Sequence, residues 1–495
     1  MDNKLTKKYG LFTAICMVVG IVIGSGIFFK TQDVLKAADG NAFYSIISWV
    51  ISGLIMVAIA TSFGVLATKY EKVNGVVDYA EATCGKKYAY FIGWFMSLIY
   101  YPAMTSVLAW VSARYTLVLL GYETNSPLEL PVKNAFFSTE CITIALFYLV
   151  LIYFLNTIAP KIAGKFQVSS TAVKLIPIVF IGLIGLIIGL FNGILGNNLD
   201  VEAVGSIKDA AAAEAAANGE LFEDYSTGLF PAICGTIFAY EGWVVATTIN
   251  SEVKNSKRNL PIALCIGTLI IVAAYTLYNV GILGLAGIGD ITSKGTTYAF
   301  GYFPAVVSKL ISFFIVISCL GTLNGLMLGC CRGIYSLSAR DEGISPKTFK
   351  QVDRMTNMPH NSAAFALLMC AVWFGYFVIV SLGIGIGDSG SYILGFDSSE
   401  LPIITIYPMY IPILVIMMIK EKDLNPFKRF ILPCLSIAGI AVIVIASIYK
   451  HGMANVWYLI VFAAIMGIGA LVLYYNKKKA SLAVADGDGL DADEE

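Results

Sequence analysis

Twelve stretches of this chain stay apolar for about 20 residues or more, the length a helix needs to cross the hydrocarbon core of a bilayer. They fall at roughly 9–37, 42–68, 88–120, 136–159, 164–191, 227–251, 259–285, 303–338, 361–381, 399–419, 429–449 and 454–475. In lipid only helices and closed barrels satisfy their own backbones, and no ten-residue alternation of apolar and polar residues points to a barrel. Composition agrees. Of 495 residues, 58% are hydrophobic and 13% charged, where a soluble domain carries roughly 25% charged residues. The spacing predicts an all-α integral membrane protein with 12 transmembrane helices.

Charge then sets orientation, because cytoplasmic connections collect Lys and Arg. One set of connections holds 23 basic residues, from Lys4, Lys7 and Lys8 to Lys477, Lys478 and Lys479, and the other set holds seven. Arg114, Lys174 and Arg332 fall within spans. Both termini are therefore expected in the cytoplasm, with the chain in the cell membrane. The first apolar stretch runs to Phe29 and lacks a small-residue cleavage site, so it is expected to remain as a span rather than be removed as a signal. With 33 basic and 33 acidic residues there is no basic excess for a nucleic-acid partner. The two histidines, His360 and His451, and ten scattered cysteines suggest no metal site and no cofactor.

Three connecting regions carry expectations of their own. The long connection 192–226 contains Ala210 to Ala217 interrupted only by Glu214, a strong helix-forming run expected to make a short surface helix. The connection 69–87 mixes apolar and charged residues at helical spacing and is expected to lie along the membrane interface. Residues 480–495, small, acidic and Gly-interrupted, are expected to be a disordered cytoplasmic tail.

Two spans look broken. The first reads Gly20-Ile21-Val22-Ile23-Gly24-Ser25-Gly26-Ile27-Phe28, and Gly costs about 1 kcal/mol per helical position relative to Ala. A helix that unwinds there restarts near Ile27 with free N–H groups and the positive end of its dipole, a site suited to a carboxylate. The same glycines also fit a packing face, Gly20-x-x-x-Gly24. The sixth span reads Phe238-Ala239-Tyr240-Glu241-Gly242-Trp243, with a carboxyl group beside a glycine near the bilayer midplane, where an uncompensated charge is costly. These spans open two five-helix sets, 1–5 and 6–10, and interrupted helices at matching places point to an inverted-repeat transport site. No sequence similarity between the halves is visible. Lys174, about ten residues into the fifth span, either snorkels to the interface or is buried as a proton carrier or fixed charge.

At these residues the chain resembles the amino acid–polyamine–organocation (APC) superfamily, most closely its L-type amino acid transporter branch. Gly24-Ser25-Gly26-Ile27-Phe28 is similar to that branch's helix-one signature, and Phe238 to Trp243 to its Phe-Ala-Tyr-Gly-Gly-Trp in helix six. Glu252-Val253-Lys254-Asn255-Ser256-Lys257-Arg258-Asn259-Leu260-Pro261 resembles the stretch opening helix seven, and Arg332 with Ser338 to Gly343 the end of helix eight. The resemblance implies a LeuT-type 5+5 inverted repeat with broken helices 1 and 6. It implies a ten-helix core over 1–420, with repeats at about 9–191 and 227–419, and helices 11 and 12 over 421–479. It implies an amino acid substrate whose carboxylate meets Gly24, Ser25, Gly26 and Ile27 and whose ammonium meets carbonyls at Val22, Phe238 and Glu241, with Tyr240 in the same motif. Phe238 would cap the substrate from outside. Lys174 would stand where sodium-coupled members bind a cation between helices one and eight.

Two departures follow. Glu241 replaces the branch's usual glycine, so the pocket gains a negative or protonatable group. The connection 121–135 has no cysteine, so no heavy-chain glycoprotein partner is expected. The leading expectation is a sodium-independent amino acid permease or exchanger in the lipid bilayer, with Lys174, Phe238 and Glu241 in coupling or gating. Alternatives are a cationic amino acid or polyamine transporter, a proton-coupled symporter using Glu241, and, more remotely, a non-transporting amino acid sensor. No span places a His beside a carboxylate, so no catalytic residues and no enzyme are expected.

Overall fold

In the computed structural model of the chain, residues 10–487 are described, apart from 25, 71–74, 123–138, 219–224, 248–252 and 382–393. The described elements are helices. The first half comprises α1 (Leu11–Val22), α2 (Gly26–Ala37), α3 (Ala42–Lys69), α4 (Val76–Cys84), α5 (Lys86–Leu119), α6 (Thr139–Ile158) and α7 (Pro160–Phe191). After α8 (Ile207–Asn218) come α9 (Leu229–Tyr240), α10 (Trp243–Ala246), α11 (Ser256–Leu285) and α12 (Ala305–Ser338). The chain closes with α13 (His360–Val380), α14 (Leu401–Lys420), α15 (Phe427–His451) and α16 (Met453–Gly487).

Among the described residues, eleven helical stretches are long and apolar enough to cross a membrane. The sixth expected span differs. Its apolar helix, α9, has 12 residues and at 1.5 Å per residue covers only part of a core about 30 Å thick. The chain leaves the helix there because Glu241 is extended (φ −77°, ψ 157°) and Gly242 takes φ +113°.

The core is built around α5, which is buried along nearly its whole apolar length. It packs on α12, while α11 packs on both α3 and α7. The α7–α11 contact is a seam of glycines. A Cβ on Gly185 would collide with the Gly281 carbonyl, one on Gly189 with the Gly284 Cα, and one on Gly182 would lie 2.6 Å from Leu277 Cγ. Small residues allow such backbone approach between membrane helices. Outward faces are apolar and exposed, as at Phe147, Phe154, Leu183 and Leu190, which is the surface a bilayer would cover.

The surface helix expected from the Ala-rich run is α8. α4 forms as the spacing predicts, and one of its faces packs inward. Val76, Val77, Tyr79 and Ala80 are buried, and Asp78 accepts from Arg340 just past the end of α12, with Glu81 3.3 Å from the same guanidinium. A buried carboxylate needs such a partner. The expected tail also shortens. Helix α16 continues through Ala480-Ser481-Leu482-Ala483-Val484-Ala485 to Gly487, where Ala and Leu outweigh the first acidic residues. Residues 488–495 lie outside the described residues.

Candidate functional site

The two breaks lie against each other. α1 ends at Val22, Ile23 is extended (φ −67°, ψ 108°), and α2 restarts at Gly26. A Cβ on Gly26 would fall on the Cα and Cβ of Ala239, at the end of α9, and one on Gly242 would lie 3.2 Å from the Ile21 carbonyl oxygen. Glycine is therefore required at Gly26 for approach, and at Gly242 for both approach and its positive φ. Between the breaks lies a cavity of about 30 Å³, walled also by Tyr100, Met104 and Leu108 of α5, Gln167 of α7, and Thr322, Gly325 and Leu326 of α12. That is room for a water or two, so a larger guest requires these helices to part. The start of α2 at Gly26 and the ends of α1 and α9 at Val22 and Ala239 all line it, and helix starts offer N–H groups and helix ends carbonyls.

Of the residues singled out in the sequence, Val22, Gly24, Gly26, Phe238 and Glu241 line this cavity. Ser25 lies outside the described residues. Ile27 is fully buried and does not line the cavity, leaving it only a main-chain role. Tyr240 points elsewhere. Its hydroxyl donates to the Trp49 carbonyl at 2.7 Å and its ring packs against Trp49 and Tyr275. The carbonyls at the first break are shared with neighbours. Tyr275 donates to Val22 O at 3.3 Å and to Ala239 O at 3.0 Å, and Ser318 donates to Gly24 O at 3.3 Å.

Lys174 does not snorkel. It is fully buried, and its Nζ donates to the Gly20 carbonyl at 2.6 Å and to Thr322 Oγ1 at 3.0 Å. One amine on α7 thus joins α1 to α12. Glu241 is buried with its two oxygens accepting from Tyr100 at 2.5 Å and Tyr407 at 2.8 Å. Hydroxyls, rather than a cation, satisfy its carboxyl group. Tyr407, on α14, carries no sequence signal of this role.

A charge cluster that the sequence reading missed sits beyond Phe238. A cavity of about 890 Å³ opens beside α8, lined by Lys30, Asp33, Asp397, Glu400, Lys450 and His451 among others. Glu400 is fully buried. Lys30 donates to its Oε1 at 2.6 Å, Lys450 to both oxygens at 2.8 Å, and His451 Nε2 lies 3.0 Å from Oε2. Lys30 also stands 5.6 Å from the centre of the Phe238 ring, so a residue lining the larger cavity neighbours one lining the central cavity. Cys234, Glu400 and His451 place possible metal-ligand atoms within 4.8 Å of one another. Two ammonium groups already neutralise that carboxylate, which leaves a divalent cation little charge to bind. Removing one partner from a buried ionic cluster strands the others. Glu400→Gln should accordingly cost roughly 3 kcal/mol of stability, read as a drop of several degrees in melting temperature.

At the other end a cavity of about 270 Å³ is lined by Val76, Tyr101, Val244, Arg332 and Asn357. Gly325 faces both this cavity and the central one. The small site thus adjoins this cavity along α12.

Comparison with known proteins bears on this arrangement. The family described as amino acid permease matches residues 9–471. The serine/threonine exchanger SteT of Bacillus subtilis (strain 168) is 26% identical over 490 residues, covering 97% of this chain and 98% of that protein. The b(0,+)-type amino acid transporter 1 of Mus musculus is 24% identical over 482 residues, with 96% and 88% covered. The cystine/glutamate transporter of Homo sapiens is 24% identical over 358 residues, covering 72% and 65%. A family match of this extent leaves no room for an enzyme reading: the chain belongs to the amino acid permeases of the APC superfamily and is a multi-pass membrane transporter.

Proposed function

We propose that this permease carries L-amino acids by alternating access, as a sodium-independent uniporter or exchanger with a 12-helix, LeuT-type 5+5 arrangement. The ten core helices occupy 1–420, in repeats at about 9–191 and 227–419, and helices 11 and 12 occupy 421–479. The observation that carries the reading is the contact of the two helix breaks at Gly26 and Ala239, with a small cavity between them. The substrate carboxylate would take the N–H groups at Gly24, Ser25, Gly26 and Ile27, and the ammonium the carbonyls at Val22, Phe238 and Glu241. Phe238 is the barrier on the side of the larger cavity.

Sodium independence is supported by Lys174, whose amine already bridges α1 and α12 where a bound cation would otherwise serve. Exchange is supported by the name of the Bacillus relative. A neutral substrate is favoured over a cationic one because Glu241 is satisfied by two tyrosines. The excess of basic residues in one set of connections supports cytoplasmic termini in the cell membrane. The connection 121–135 without cysteine supports function without a disulfide-linked heavy chain.

Counter-flow in proteoliposomes tests the whole reading. Labelled amino acid should enter sodium-free vesicles, faster when they are preloaded with neutral amino acids, and lysine, arginine and putrescine should compete weakly. A strict sodium requirement, or binding without flux, would overturn it. Glu241→Gln should leave any accumulation driven by a pH gradient unchanged, and loss of such accumulation would instead assign Glu241 to proton coupling.

A further inference from the structure

Two buried side-chain amides, Asn156 and Asn324, and the half-buried Gln167 form a chain that ends at the central cavity. Asn156 Nδ2 donates to the Ile152 carbonyl at 2.9 Å and to Asn324 Oδ1 at 3.0 Å. Asn324 Nδ2 donates in turn to the Ala163 carbonyl at 3.2 Å and to Gln167 Oε1 at 3.1 Å. Amide oxygen and nitrogen are told apart by their partners. Here the partners decide, because the Ile152 and Ala163 carbonyls can only accept. The first two amides are fixed by those carbonyls, so the Gln167 oxygen must face Asn324. Its NH₂ group is left as the outward end, makes no hydrogen bond among the described residues, and belongs to a residue lining the cavity. Gly325 lies beside the Gln167 amide, and the same cavity is lined by Met104, Leu108 and Leu326 as well as by Tyr100, Glu241 and Thr322. A donor held in such a wall rewards an acceptor and penalises an apolar group that leaves it unpaired.

We propose that Gln167 reads the substrate's side chain, donating from Nε2 to a hydroxyl, ether or carboxamide oxygen, so that the permease favours small polar amino acids over apolar ones of the same shape. Asn324 and Asn156 are positioning residues, acting through Gln167. The inference rests on the reading that the central cavity takes an amino acid.

Isosteric pairs test it in proteoliposomes, with labelled alanine as the transported species. Threonine and valine differ by a hydroxyl for a methyl, and O-methylserine and norvaline by an ether oxygen for a methylene. In the wild type each oxygen-bearing member should compete about tenfold more strongly than its partner, the value of one hydrogen bond. Gln167→Leu should bring both ratios near one. Gln167→Glu keeps the size but removes the donor. O-methylserine, which only accepts, should lose its advantage, while threonine, which can donate to the new carboxylate, should keep it. Asn324→Leu should weaken both preferences by freeing the Gln167 amide to turn. Wild-type ratios near one, or ratios that survive Gln167→Leu, would overturn the assignment. Failure of any amino acid to move or compete in the wild type would instead overturn the underlying reading of the cavity.

Discussion

Lys174→Ala should reduce amino acid flux in proteoliposomes by about 100-fold or more while leaving a folded, extractable protein. The amine makes two buried hydrogen bonds, to the Gly20 carbonyl and to Thr322. Such bonds are worth roughly 1–3 kcal/mol each, and every 1.4 kcal/mol lost from a step in the cycle slows it about tenfold. Stability responds differently, because removing a buried amine also removes the cost of taking it out of water. A Lys174→Met variant separates charge from volume. It should fail in transport like the alanine variant and melt at or above the wild-type temperature. Near-normal uptake by either variant would show that the bridge from α7 to α1 and α12 has no part in the cycle.

Gly26→Ala should abolish uptake. The added Cβ would fall on the main chain of Ala239, and a backbone cannot yield by changing rotamer. Overpacking in a core costs about 1–3 kcal/mol when side chains can adjust, so this site stands at or beyond the upper end. The breaks would be forced apart, and with them the lining of the cavity they share. Gly375→Ala is the matched control, since an added Cβ there meets nothing within 4 Å. It should transport and melt as the wild type does. Normal transport by Gly26→Ala would mean that the contact between the breaks is not needed for the cycle.

The sequence made some of this legible and hid the rest for physical reasons. Both breaks were readable because their causes are local: Gly24 and Gly26 in one span, and Glu241 beside Gly242 in the other. Lys174 stood out because an amine ten residues into an apolar run is costly wherever it points. What it bonds could not be read, since Gly20 and Thr322 lie 154 and 148 positions away. Glu400 was harder still. It opens an apolar run, as an interfacial acid would, and its partners Lys30, Lys450 and His451 come from two other segments. Tyr240 shows the converse. It sits in the right motif, but a helix turns successive side chains by about 100°, and its turn faces Trp49 rather than the cavity. Gln167 gave no signal because a glutamine near a helix start is ordinary, and its meaning depends on two asparagines fixing its orientation.

The glycine seam between α7 and α11 has a mechanical consequence. Two backbones in direct contact have no interposed side chains to swap rotamers, so they neither slide nor tilt by small steps. The pair behaves as a single beam. That beam carries Lys174, which grips the Gly20 carbonyl, and Tyr275, which grips the carbonyls of Val22 and Ala239. The segment of α1 before its break is thus clamped one half-turn apart by the same stiff piece and has to ride with it. The segment after the break, from Gly26 onward, is held elsewhere, by its contact with Ala239 and by Lys30 on the buried Glu400, so the break at Ile23 joins two separately anchored pieces of one span.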